Sequence, residues 1–375
     1  MTNRDYELGE LLSYEQPTPY IVESTEYNDQ YPTPVLTAGK SFILGYTNER
    51  QGIFTDVPVI IFDDFTTSSQ YVTFPFKVKS SAMKILKPNT DLVLPKYIFY
   101  RMQIIQFDAS THKRYWIQQY SKIKVKIPPV PEQERIVAKI EELFSELDNG
   151  VETLKKIKQQ LAVYRQAVYA SVYQENDMRP ITDFFDVSGG LTKNSKRNEL
   201  SLKMPYLRVA NVYYNELDLS EIKFIGVSEN EVQKTTLKKD DLLFIEGNGS
   251  KEQIGRVAMW DGSIENCLHQ NHLIKGRPLG NMLPQYALFY LISAHGRKQI
   301  LRVASSTSGL YTLSTNKVRN LLIPFVDIEN QKQCISIIEE RLSVCDSIEK
   351  TVDTALQQAE AMRQSILKKA FEGEL

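Results

Sequence analysis

Two stretches of the chain share a helical rhythm. From Ile136, apolar residues recur every three or four positions, through Ile140, Leu143, Leu147, Val151, Leu154, Ile157, Leu161, Tyr164 and Val168. From Ile335 the same spacing runs through Ile338, Leu342, Cys345, Ile348, Val352, Ala355, Ala359, Met362 and Ile366. A period near 3.5 is the seam of a coiled coil, so each stretch predicts one long helix. Pro131 lies just before the first seam and Pro324 upstream of the second, as helix openings prefer. Gly150 should weaken the first helix by about 1 kcal/mol relative to Ala, and marks a place for a bend or break. A helix of about 43 residues spans about 64 Å. Narrow seams on two such helices need each other. The compact stretch between them leads the chain back most simply if the pair is antiparallel.

The two stretches also repeat in sequence. IPPVPEQERIVAKIEELFSELD begins at Ile127, and IPFVDIENQKQCISIIEERLSVCD begins at Ile323. With two extra residues in the second before Gln331, the register becomes 198. Gln133 then falls on Gln331, Ile140 on Ile338, Asp148 on Asp346, Arg165–Gln166 on Arg363–Gln364, and Tyr173 on Phe371. One register held this long makes the chain a fused dimer of a globule-plus-helix unit with an approximate two-fold axis. The expected organisation is a globule over 1–128, a helix over 129–176, a globule over 177–324 and a helix over 325–375. The fold class is α+β: two globular domains separated by two long helices that form an antiparallel coiled coil, pseudo-two-fold symmetric.

Inside the globules the pattern turns to short strands. In the second, MPYLRVANVYYN (204–215) reads as a strand ending in Asn211, Tyr213, Tyr214 and Asn215. DDLLFIEGNGSKEQIGRVAMW (240–260) reads as strand, Gly-rich turn, strand. CLHQNHLIKGRP (267–278) is a strand presenting His269, Gln270, Asn271 and His272, and MLPQYALFYLIS (282–293) is a helix. The first globule exits alike: HKRYWIQQYSKIKVKIP parallels GLYTLSTNKVRNLLIP at a spacing of 196, after a helix over 95–105. Elsewhere the sequences differ, which predicts one scaffold with different surfaces.

Composition adds little until it is divided. An apolar content of 42% is enough for real cores, and three cysteines offer no disulfide framework. No run approaches 18 apolar residues and the N-terminus has no leader-like apolar core, so a soluble, cytoplasmic protein with no membrane partner is expected. The net charge of −1 hides a partition: +1 over 1–130, −3 over 131–177, +5 over 178–326 and −4 over 327–375. Such alternation points either to a partner for the basic parts or simply to Glu-rich helix surfaces.

No catalytic constellation emerges. IEGNGSKEQIG lacks the phosphate-loop spacing and leads into a strand. Cys267, His269 and His272 have no second pair to close a zinc site. Asp63 and Asp64 form a carboxylate pair without a nearby lysine at nuclease spacing. IPPV at 127–130 is not the loop an amino-methyltransferase needs. What remains is a dense set of Asn, Gln, Ser, Thr, Arg, Lys and Tyr on loops, side chains that pair with base edges and phosphates.

Taken together, IPPVPEQE and IPFVDIENQ, the helix ends YRQAVYASVYQ and MRQSILKKAFEG, and the globule segments PYLRVANV, DDLLFIEGNGS, HQNHLI, GLYTLSTNKVRNLLIP, TPVLTAGKSFILGYTNE and VIIFDDFTTSSQYVTFPFKVKSSAMKIL resemble the DNA-specificity subunit of type I restriction–modification systems. The second helix opening departs from the family pattern by the inserted Asp327–Ile328. The resemblance implies two target recognition domains, each reading half of a bipartite, gapped site in double-stranded DNA. It implies helices that set the gap and dock two copies of an adenine-N6 methyltransferase subunit, joined by a translocating endonuclease subunit. It implies no catalysis and no cofactor in this chain; S-adenosylmethionine, ATP and Mg serve the partners. The DNA-contact candidates are Lys40, Tyr46, Arg50, Asp64, Thr66 and Thr67 in the first globule. In the second they are Lys193, Lys196, Arg208, Asn211, Tyr213, Asn248, Ser250, Lys251, Gln270, Asn271, Ser306 and Tyr311. Arg165, Gln166, Arg363 and Gln364 are the partner-binding candidates. Two rivals are a protein-binding coiled-coil scaffold with no DNA role, and a self-sufficient cleaving enzyme built on Asp63 and Asp64.

Overall fold

The structure is a computed structural model that describes residues 4–37, 41–111, 113–173, 176–307 and 309–375. The chain divides into two compact units, one of residues 1–155 with 353–375 and one of residues 156–352.

In the first unit, strand Arg4–Glu7 pairs antiparallel with Lys124–Ile127, the last strand before the long helix. A four-stranded antiparallel sheet follows the order Leu12–Glu15, Met83–Pro88, Val59–Asp63, Ser69–Val72. Val59–Asp63 is buried along its whole length, which is why its sequence is a continuous apolar run and not an alternation. A three-stranded sheet sets Thr33–Leu36 between Ile43–Thr47, antiparallel, and Lys77–Val78, parallel. Helix Pro95–Gln103 starts with proline at its first position, where no backbone donor is needed, and buries Tyr97, Ile98 and Met102. The core joins Leu8, Phe62, Trp116 and Tyr120 to Ile136 and Ile140 of the first long helix and Leu367 and Ala370 of the second.

The second unit repeats this strand for strand. Met178–Pro180 pairs with Leu322–Pro324. The four-stranded sheet runs Phe185–Gly189, Leu273–Pro278, Leu242–Ile245, Val257–Met259. The three-stranded sheet sets Lys203–Leu207 between Lys223–Gly226, antiparallel, and Leu268–His269, parallel. Helix Pro284–Ile292 again opens on proline. The likeness therefore extends well beyond the shared exits, into interiors whose sequences differ. The second unit adds helix Ala294–Val303 and a small sheet of Gly247–Asn248, Leu310–Thr312 and Ser305–Thr307.

The long helices are Val130–Val172 and Ile328–Glu372. The first continues through Gly150 without a break; a cost of about 1 kcal/mol is too small to interrupt a helix held by packing on both sides of it. The helix halves in each unit run antiparallel. In the second unit the Cys334 thiol meets the Val172 carbonyl at 3.6 Å, Arg341 meets Ser171 at 3.3 Å, and Arg165 meets Asp346 at 2.7 Å and Glu349 at 2.9 Å. In the first, Arg363 pairs with Asp148 and Arg135 donates to the Leu375 carbonyl at 3.1 Å.

The seam itself needs a correction. Tyr164, Ile348 and Met362 face solvent, at 49%, 40% and 54% exposure, while Arg165, Glu349 and Arg363 are half-buried beside them. At each of these turns the seam steps four residues and then three instead of three and then four, and it is back at the expected positions at Val168 and Val352.

Gln133 and Gln331 are fully buried and do one job twice. The Gln133 side-chain oxygen accepts from Leu94 N at 2.8 Å, and its amide donates to the Pro128 carbonyl at 2.9 Å. Gln331 accepts from Leu283 N at 2.8 Å and donates to the Val326 carbonyl at 2.8 Å. Leu94 and Leu283 cap the two short helices. Each glutamine thus ties the start of a long helix to the start of a short one and satisfies a donor that helix geometry leaves open.

Candidate nucleic-acid interface

In the second unit the polar loops are drawn together by backbone hydrogen bonds. Leu191 N donates to the His269 carbonyl and Asn271 N to the Leu191 carbonyl, both at 2.9 Å. This close approach needs Gly190, where a Cβ would stand 2.3 Å from the His269 oxygen. The loop carrying exposed Lys193 and Lys196 is thereby laid beside Gln270 and Asn271. Gln270 N donates to the Leu207 carbonyl at 3.0 Å, adjoining Arg208. The small sheet places Tyr311 opposite both Asn248 and Ser306. Asn248 accepts from Ser250 N at 2.9 Å, closing a turn that holds Lys251 in solvent. Glu246 links the two groups of loops: its N donates to the His272 carbonyl at 3.0 Å, and its carbonyl accepts from Leu313 N at 2.6 Å. The loops that carry Lys193, Lys196, Asn248, Ser250, Lys251, Gln270, Asn271 and Tyr311 are thus tied to one another through their backbones. Ser306 stands in the same small sheet by its backbone, and its side chain lies outside the described residues.

Other candidates have structural work. Asn211 is buried; its amide donates to the Asp218 and Glu221 carbonyls and its oxygen accepts from Arg208 N. It caps a loop and is not a surface contact, a role its position before two exposed tyrosines did not announce. Arg208 is paired with Glu221 at 2.9 Å. The exposed Tyr213 ring carries the Arg256 guanidinium at 4.6 Å, and the Tyr214 ring carries that of Arg297 at 5.1 Å. Burial lowers both arginine pKa values from their ordinary range. Neither arginine was singled out in the sequence, because each follows or precedes an ordinary apolar run.

In the first unit, Tyr46 and Arg50 line one cleft of about 640 Å³ with Pro34, Ile43 and Phe74. Thr66 and Thr67 occupy the turn between strands Val59–Asp63 and Ser69–Val72, with Thr67 in the left-handed region at φ 61°. Asp63 makes that turn by accepting from Phe65 N at 2.8 Å and Thr66 N at 3.2 Å. Asp64 is buried: it accepts from Trp116 N at 2.8 Å and lies 3.7 Å from the equally buried Lys84 ammonium. Asp64 therefore corrects the expected DNA contact, since a carboxylate buried in the turn against Trp116 and Lys84 has no base to meet. Lys40 lies outside the described residues.

Asp63 and Asp64 are both engaged by backbone donors, and among the described residues no three His, Cys, Asp or Glu side chains gather as metal ligands. Cys267 is buried, with its thiol pushed up to about 12 by burial. His269 is buried with Nδ1 at 2.9 Å from the Thr235 carbonyl, and burial holds its pKa down to about 3. His272 is exposed and pairs with Glu246 at 3.1 Å.

The four partner-binding candidates line matching grooves. In the first unit a groove of about 560 Å³ is bounded by Phe144, Asp148, Arg363, Gln364 and Leu367, with Tyr100 of the short helix. In the second a groove of about 870 Å³ is bounded by Leu342, Asp346, Arg165, Gln166 and Tyr169, with Ile292 of its short helix. The five long-helix residues named in one groove stand 198 positions from the five named in the other. The two arginines are half-buried and held by acids across the helix pair, which leaves the glutamines as the freer groups.

The scaffold is thus used twice, with one groove on the long helices of each copy and unlike loops on the two. Residues 173–358 match the type I restriction modification DNA specificity domain. The specificity subunit of the type I restriction enzyme EcoR124I/EcoR124II from Escherichia coli is 32% identical over 362 residues, 91% of this chain and 87% of that one. A chain from a structural study of complex assembly and conformational transition of the type I R-M system covers all of this chain and 98% of its own, with a TM-score of 0.69 at 14% identity. The HsdS subunit from Thermoanaerobacter tengcongensis gives 0.53 at 16%, covering 100% of this chain and 97% of that one. The chain belongs to the family of type I restriction–modification specificity subunits. Among the described residues, no helix is long and apolar enough to cross a membrane.

Proposed function

We propose that this chain reads a bipartite DNA site, one half-site per unit, and carries catalytic partners to it in the cytoplasm. The observation that carries the reading is the repeat itself. Two units share a strand topology and a clamped helix start, yet differ in the loops that bear Tyr46, Arg50, Thr66 and Thr67 in one and Lys193, Asn248, Lys251 and Gln270 in the other. Identical scaffolds with unlike polar loops suit two unlike half-sites. Those loop side chains are the donors and acceptors that base edges and phosphates take. The long helices would set the gap between half-sites.

The two matching grooves support docking of two copies of one partner, the adenine-N6 methyltransferase subunit, with a translocating endonuclease subunit joining that core. S-adenosylmethionine, ATP and Mg would then be bound by those partners, and this chain would supply specificity without catalysis. Methylation mapping of the host genome with and without the gene tests the whole. One gapped adenine-methylated motif should vanish on deletion; an unchanged methylome would leave only the protein scaffold.

A further inference from the structure

The two three-stranded sheets can be placed in one register. Lys79 N donates to the Leu36 carbonyl at 2.8 Å, and Gln270 N donates to the Leu207 carbonyl at 3.0 Å. Both bonds join the parallel pair at the same point, so Leu36 and Leu207 are equivalent. Two residues earlier stand Pro34 and Pro205. Across the antiparallel pair, Pro34 faces Tyr46 and Pro205 faces Phe224. Tyr46 and Phe224 are therefore the same position of the scaffold, on the outer strand of each sheet.

Phe224 is 66% exposed. Its neighbour Ile225 points the other way, into a small core with Tyr206 and Leu268. The alternation of a one-sided strand calls for a polar residue where Phe224 stands, and a phenyl ring has no polar end to favour water. In the first unit Ile43 and Leu44, at a bulge just before Tyr46, are also exposed. Exposed Lys203, opposite Gly226 in the neighbouring strand, lies on the same side as Phe224, and Arg50 shares the cleft of Tyr46. An apolar ring with a cationic surround is complementary to a polyanion with apolar groups between its strands.

We propose that Tyr46 and Phe224 are a matched pair of base-edge contacts, each setting its ring against a thymine methyl in the major groove of its own half-site. An apolar side chain against that methyl is a direct reading of thymine. This rests on the DNA-reading function above.

The test uses the complex reconstituted with its methyltransferase subunits, on the site found by methylation mapping. Each thymine of each half-site is replaced in turn by uracil, which lacks only the methyl. At one position per half-site the wild type should lose about four-fold in affinity, the worth of one buried methyl. Phe224→Ala should lose a similar factor and become indifferent to that uracil in its half-site only; Tyr46→Ala should do so in the other. Phe224→Leu should keep part of the contact, and thermal melts of all variants should match. Phosphate contacts being untouched, the salt slope should not change. Uracil-insensitive wild type, or losses from Phe224→Ala and uracil that simply multiply, overturns the pair while leaving site reading intact. Phe224→Ala that fails to co-purify with the methyltransferase overturns it in favour of a subunit contact. A wild-type complex with no site preference overturns the reading and the pair together.

Discussion

His269 shows how far a residue's chemistry is set by its surroundings. Its sequence neighbours, Gln270 and Asn271, belong to the polar loops, yet the imidazole is turned inward against the Thr235 carbonyl. Burial, with Lys275 nearby, holds its pKa down to about 3, below the ordinary 6.5. The folded protein thus leaves it neutral while the unfolded chain takes up a proton below about 6.5. Its stability contribution is full above 6.5 and is lost as pH falls toward 3. His269→Gln should flatten that part of the acid limb in melts taken from pH 7 to 4; a limb as steep as the wild type's would place the titration elsewhere. Lys251 is the opposite case, an exposed ammonium at a turn tip. Lys251→Ala should weaken binding of all DNA alike and reduce the salt slope by about one, read by anisotropy at several salt concentrations.

At the scale of elements, Gln133 and Gln331 are the most constrained side chains of the long helices. Replacing either by Ala strands a buried backbone donor and acceptor, which costs about 1–3 kcal/mol for each group left unpaired. Gln133→Ala should therefore lower the melting midpoint, and Gln331→Ala should do the same; Glu at either place would set a buried carboxylate against a carbonyl oxygen and should lower it at least as far at neutral pH. Equal midpoints for the alanine variants and the wild type would deny the clamp. These elements were legible because helical periodicity is local. The register of 198, Gln133 and Gln331 included, came from residues that face one another across short distances in sequence. The interiors of the globules were not legible as a repeat. Leu36 and Leu207, each two residues after a proline, share a position fixed by a hydrogen bond from a residue far along the chain, and a lone Pro-x-Leu is too short a match to reveal the register without the topology. Asp64 and Asn211 misled for a related reason: a polar residue after an apolar run reads as a loop tip, and only the tertiary partners Trp116 and Glu221 show that each is inside. Tyr164 and Met362 misled because a seam of three- and four-residue steps can be read with either step first, and residue type favours the apolar neighbour over Arg165 and Arg363.

For the molecule as a whole, the proposed reading makes the long helices the measure of the DNA gap, and that can be tested by length alone. The helices are 43 and 45 residues long, and each contributes to both units. Because the halves are antiparallel, an insertion in one helix must be matched in the other to keep the seam in register. Seven residues added to each, near residues 155 and 352 where the units divide, preserve the apolar phase and add about 10 Å at 1.5 Å per residue. Divided by a step of about 3.4 Å along the duplex, that is at most about three further base pairs between half-sites. A shorter addition of four residues per helix advances the helix by about one turn and should give a smaller change. The half-site sequences themselves should be untouched, since no loop of either unit is altered. Methylation mapping of cells carrying each variant reads gap and half-sites together. A variant that still methylates, at the original spacing, would assign the gap to the loops or to the partners instead of the helices.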